Sequence, residues 1–162
     1  VEASDVEAIE RQLGREPRGL REVAHRCPCG RPDVVETAPR LPDGTPFPTL
    51  YYLTCPRANS EIGTLESSGM MKEMQARLAE DPALAAAYQA AHDDYLARRD
   101  KAAEESGVEP LPPGTQSSGG MPTRVKCLHA LVAQELAVPG SNPFGREALD
   151  ALPEWWAEGP CA

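Results

Sequence analysis

The 162-residue sequence predicts an α+β fold: one β-hairpin over about residues 33–55, packed with four to six helices in a single domain spanning 1–162. Three observations carry this expectation. Two runs rich in β-branched and aromatic residues, 33–41 and 47–55, flank Pro42-Asp43-Gly44-Thr45-Pro46, a segment with the composition of a longer hairpin turn. Elsewhere apolar residues recur at helical spacing behind residues that start helices. A chain of this length supplies one moderate core, and with 5% aromatic residues that core must come mainly from Leu, Val, Ala and Met.

In chain order, Ser4-Asp5-Val6-Glu7 reads as a capping box for a helix over about 5–13, with Val6, Ile9 and Leu13 on one face and Gly14 as the stop. Residues 15–21 read as a polar connection. In the hairpin, a turn centred near Asp43-Gly44 places Cys55 opposite about residue 32, just past Cys29-Gly30. Leu65, Met70, Met71, Met74 and Leu78 indicate one or two helices over about 60–79, with Gly69 as a break. Asp81-Pro82 supplies an N-cap and a first-turn proline for a long helix to about Glu105, whose inward stripe includes Leu84, Tyr88, Ala91, His92 and Tyr95. Residues 108–120, rich in Pro, Ser and Gly, read as a mobile internal linker. A helix is expected over about 122–137 with Val125, Leu128, Val132 and Leu136 inward, and Asn142-Pro143 begins a last helical region in which Trp155-Trp156 anchor the tail.

The net charge of -9 argues against general nucleic-acid binding. No apolar run approaches the roughly 20 residues that span a bilayer, and no basic-then-apolar leader opens the sequence, so a soluble cytoplasmic protein is expected. The acidic excess lies outside the main cysteine segments. Around the cysteines stand Arg26, Arg31, Arg40, Arg57, Arg124 and Lys126. Of these, Arg57, Arg124 and Lys126 are candidates to bind a small anionic ligand, helped by the Gly119-Gly120 turn before a helix start.

Five cysteines carry the chemistry. Cys27-Pro28-Cys29-Gly30 is a tight turn with two thiols, Cys55-Pro56 meets it across the hairpin base, and Cys127 arrives on a separate helix. Together Cys27, Cys29, Cys55 and Cys127 make the four thiolates that zinc or an iron-sulfur cluster needs, although their spacing matches neither a standard zinc finger nor a ferredoxin. Cys161 reads as a resolving thiol or an inconsequential tail residue before a further ligand. His129, two positions after Cys127, points well away from it on a helix, so the two are not expected to share an ion. His129 or His25 is a candidate general base, whereas His92 belongs to the apolar stripe.

Three stretches, Val23 to Gly30, Asp43 to Arg57 and Gly119 to His129, resemble a mainly actinobacterial family, domain of unknown function 501. The resemblance covers nearly the whole chain. It implies an actinobacterial cytoplasmic protein of about this length and adds no catalytic residue.

The leading expectation is therefore a cysteine-ligated metal-binding protein with an adjacent basic anion-binding surface, structural or adaptor in role, taking a small anionic ligand or a protein partner. Its rival is a metal-free thiol enzyme in which Cys127 is the nucleophile and His25 or His129 the base. A third reading is a purely structural interaction protein.

Overall fold

The computed structural model describes residues 1–161. They form six helices and a three-stranded antiparallel sheet, α1 (Ala3–Leu13), β1 (Leu20–Arg26), β2 (Pro32–Thr37), β3 (Tyr51–Leu53), α2 (Pro56–Glu66), α3 (Met70–Glu80), α4 (Pro82–Ser106), α5 (Leu128–Ala137) and α6 (Pro143–Ala151). This is the expected α+β class with one more strand than the sequence suggested. No helix among the described residues is long and apolar enough to cross a membrane.

The hairpin keeps the expected register. Val34 faces Leu53 and Glu36 faces Tyr51, so continuing the pairing puts Cys55 opposite Pro32. Its strands are shorter than expected because Pro39, Pro42, Pro46 and Pro48 lack the N–H that a ladder needs. Between Thr37 and Tyr51 the ladder is reduced to the bridge from Arg40 to Pro46 and isolated backbone bonds, such as that from the Phe47 amide to the Pro39 carbonyl at 2.7 Å. The unexpected strand β1 pairs with the other edge of β2, through a register broken by irregularities. There Arg21 donates to Glu36 at 2.9 Å and to Ser106 at 2.6 Å. Of residues 15–21, read as a polar connection, Leu20 and Arg21 thus enter the sheet edge, where Arg21 is held by tertiary partners.

Helix boundaries follow their caps. Asp81 accepts from the Ala83 and Leu84 amides and starts α4, and Asn142 accepts from Gly145 and starts α6. The capping box at Ser4 does not form. Helix α1 begins two residues after Val1, with Glu2 at the N-cap position and no side-chain cap bond. The largest change concerns α5, which starts at Leu128 and not near Pro122. Residues 119–126 form a compact turn in which the Arg124 and Lys126 amides donate to Gly120 and Gly119 carbonyls at 2.8 Å each. Segment 108–120 has no helix or strand and is strapped to α4. Buried Arg99 donates to the Gln116 carbonyl at 2.7 Å, and His92 bonds Ser117 at 2.6 Å.

Helix α5 is the centre of the molecule, contacting the sheet on one side and α6 on the other, with Leu128, Leu131 and Val132 fully buried. Behind it, Tyr88 packs edge-on against Phe144 at 4.9 Å and Tyr95 against Tyr51 at 5.9 Å. Two polar side chains at the end of α5 are also buried, and both are satisfied. Glu135 accepts from the Gly140 and Asn142 amides, and Gln134 bonds the Ala91 carbonyl and Asn142. They fix the turn that reverses the chain into α6.

Candidate functional site

The fold sorts the cysteines into two separate groups. In the first, the ligand atoms of Cys27, Cys29 and Cys161 lie within 4.8 Å of one another. The turn that follows β1 presents two of them. Gly30 donates to the Cys27 carbonyl at 2.8 Å, and its φ of 93° closes the turn in a conformation that favours glycine. The Arg31 amide, 3.4 Å from the Cys29 sulfur, then points at that thiol. Cys161 comes from the other end of the chain and stops with its sulfur 3.6 Å from that of Cys27. The tail reaches this point behind Trp155, which is buried, and Gln12 donates to both the Pro32 and Cys161 carbonyls.

Cys55 adjoins this group. It stands outside the set of three within 4.8 Å, fully buried at the start of α2, where its sulfur accepts from the Ala58 amide at 3.5 Å, and it is close enough to help raise the Cys161 thiol. All five thiols are free. The cluster divides its protons unequally. Burial pushes Cys27 up to about 11 and Cys161 higher still. Cys29 goes down despite its own burial, because the Arg31 amide and the neighbouring thiols favour its thiolate.

The second group is Cys127, His129 and Glu66, whose ligand atoms also lie within 4.8 Å of one another. Cys127 is the N-cap of α5, with an extended backbone at φ -151° and ψ 107°. The expectation that Cys127 and His129 diverge assumed both were helical. Because the first is not, the helical angle between positions two apart does not apply. His129 Nε2 donates to the Asn59 carbonyl at 3.1 Å, and Nδ1 stands 3.2 Å from Glu66 Oε2. Glu66 also accepts from the Leu128 amide at 2.9 Å, which holds its carboxylate at the helix start. The imidazole beside Cys127 draws its thiol below the ordinary value against the opposing effect of burial. In return that thiol, with Asn59 and Glu66, raises His129 to about 9.

Cys127 and His129 line a cavity of about 720 Å³ between the end of α1, β3, and the starts of α2 and α5. Cys27, Cys29 and Cys161 do not line it. Thus the structure joins Cys27 and Cys29 to Cys161, sets Cys55 beside them, and takes Cys127 elsewhere. His25 has its own partner, with Nδ1 2.7 Å from the buried Asp33 carboxylate, and lines a different cavity beside Trp155 and Trp156. The three candidate anion-binding residues do not share a cavity. Arg57 lines a cleft that also holds Glu61, Glu154 and Glu158, while Arg124 and Lys126 are exposed in the turn before α5.

Glu66 and Asn59 escaped the sequence reading, since neither sits in a motif and both meet His129 only when α2 packs on α5. For Cys161 a signal existed: an odd cysteine just beyond a tryptophan pair that anchors the tail.

The chain belongs to the family described as protein of unknown function DUF501, whose sequence model matches residues 23–150. That span contains Cys27, Cys29, Cys55 and the whole Cys127 group, while Cys161 lies beyond it. No curated protein and no solved structure matches.

Proposed function

We propose that this DUF501 chain is a cysteine-ligated metal-binding protein in which Cys27, Cys29, Cys55 and Cys161 hold one structural metal ion. The observation that carries the reading is the approach of thiols from the two ends of the chain, with Cys27 and Cys161 sulfurs 3.6 Å apart. In a tetrahedral site with Zn–S bonds of about 2.3 Å, sulfurs stand about 3.8 Å apart. A disulfide needs about 2.05 Å. Four-iron clusters spread one thiolate on each iron and hold their sulfurs farther apart, so the close spacing favours a single ion such as zinc. Amides aimed at Cys29 and Cys55 support the same reading, because N–H groups stabilise ligating thiolates.

Four protein thiolates leave no open position for substrate, which makes the role structural. The ion would staple the C-terminal tail to the hairpin base and to the start of α2. The protein would then present a rigid acidic surface to a partner, in an adaptor role. Anaerobic purification followed by metal analysis tests this. One zinc per chain in colourless protein supports it, and metal-free protein that is equally stable with Cys161→Ser opposes it.

A further inference from the structure

We infer that Cys127 and His129 form a second, independent site, a nucleophilic thiol that accepts an acyl group from an uncharged ester or amide. The geometry supplies each part. His129 has its Nε2–H committed to the Asn59 carbonyl, which leaves Nδ1 as the ring atom that exchanges a proton with Cys127. The Glu66 carboxylate, 3.2 Å from Nδ1, stabilises the imidazolium so formed and is a positioning residue. Cys127 caps a ten-residue helix and opens on the cavity of about 720 Å³, so an electrophile can reach its sulfur.

The cavity lining selects the class of substrate. Apart from His129 it has no ionisable side chain but the thiol and two tyrosines, and it combines Leu13, Leu53, Pro56 and Ala130 with Thr49, Asn59 and Ser60. A charged group would be desolvated there, and the one cation in the lining, His129, is already matched by Glu66 and the Cys127 sulfur. Two further lining residues carry uncommitted polar atoms. Thr54, 1% exposed, has no partner for its hydroxyl, and Gln12 has none for Oε1. A hydroxyl that can donate and a carbonyl that can accept, on two residues of one lining, suit an amide-like group, which has one acceptor and one donor.

In the reaction, His129 Nδ1 already holds the proton of Cys127 as an imidazolium beside the thiolate, and the Cys127 sulfur attacks the carbonyl carbon. The C–S bond forms, the bond to the leaving alcohol or amine breaks, and the leaving group takes the proton from His129. Water then attacks the thioester, with His129 accepting its proton. Carboxylic acid departs and the Cys127–His129 pair is restored. No oxidant or reductant is needed.

The test uses the full chain with p-nitrophenyl acetate and iodoacetamide as probes. We expect a burst of one p-nitrophenolate per chain, an acetyl group located on Cys127 by mass spectrometry, and carbamidomethylation of Cys127 at pH 7 at least about tenfold faster than an unstructured thiol. Iodoacetate, the anionic analogue, should lose that advantage. His129→Gln should slow the burst by about 10²-fold or more, with circular dichroism confirming the fold. Cys127 reacting no faster than a free thiol, or an acyl adduct found on Cys29, overturns the inference. So does bound metal that Cys127→Ser removes and Cys161→Ser retains, which would assign Glu66, Cys127 and His129 to an ion. Cys161 does not line this cavity, and metal content and the Cys127 acyl adduct are separate readouts on the wild-type chain, so failure of the structural metal site and failure of the thiol site give different results.

Discussion

Replacing Cys127 by alanine should lower the pKa of His129, and the structure sets the size of the signal. With its ring held at about 9, His129 is about 97% protonated at pH 7.5, against about 9% for an imidazole at the ordinary 6.5. The thiol is the largest cause of this rise, and Glu66 and the Asn59 carbonyl also favour the charged ring. Without the thiol the midpoint should fall below about 9 yet stay above 6.5, because both remaining partners are within 3.2 Å. Ring-nitrogen NMR over pH 5 to 10 measures this directly, with His129→Gln identifying the resonance among three histidines. The linkage has a definite sign. A raised folded pKa contributes stability that is complete below pH 6.5 and is lost as pH rises through about 9. The move from 6.5 to about 9 corresponds to roughly 3 kcal/mol, reduced toward about 1 kcal/mol by solvent screening at a side chain 30% exposed. A wild-type midpoint near 6.5, or one that Cys127→Ala leaves unchanged, would show that the thiol does not hold the ring in its charged form.

Other perturbations test the frame that holds the two sites. Cys161→Ser should cost on the order of 3–5 kcal/mol by releasing the tail, about 10 °C in melting temperature, and should match wild type stripped by a zinc chelator in a fluorimetric melt. Tyr95→Phe leaves the fully buried Leu50 amide without its 2.6 Å partner and should cost about 1–3 kcal/mol in urea unfolding. Gly145→Ala places a methyl 2.3 Å from the Leu131 carbonyl oxygen and 2.9 Å from Glu135 Cβ, between α5 and α6. Urea unfolding should show a loss of about 1–3 kcal/mol as the two helices are forced apart.

What was legible in the sequence followed from local chemistry. The Asp81 and Asn142 caps start their helices, and the hairpin register placed Cys55 opposite Pro32 because alternation and turn composition act over few residues. Strand β1 was hidden because Leu20–Arg26 is half-buried along most of its length, and its Arg21 finds Glu36 and Ser106 only after α4 has packed. Helix α5 begins six residues late because the 119–126 turn consumes its own amides. That displacement makes Cys127 an extended N-cap and brings it to His129. The Cys27–Cys161 contact spans 134 residues and depends on tail docking, which no local pattern encodes.

The proposed metal site requires four thiols from both ends of the chain to close on one ion. Metal content by mass spectrometry, on anaerobically purified wild type and on Cys161→Ser, tests it most directly. One zinc per wild-type chain and a large loss of zinc in the variant are expected. Wild-type protein without metal, or equal metal in both proteins, contradicts it.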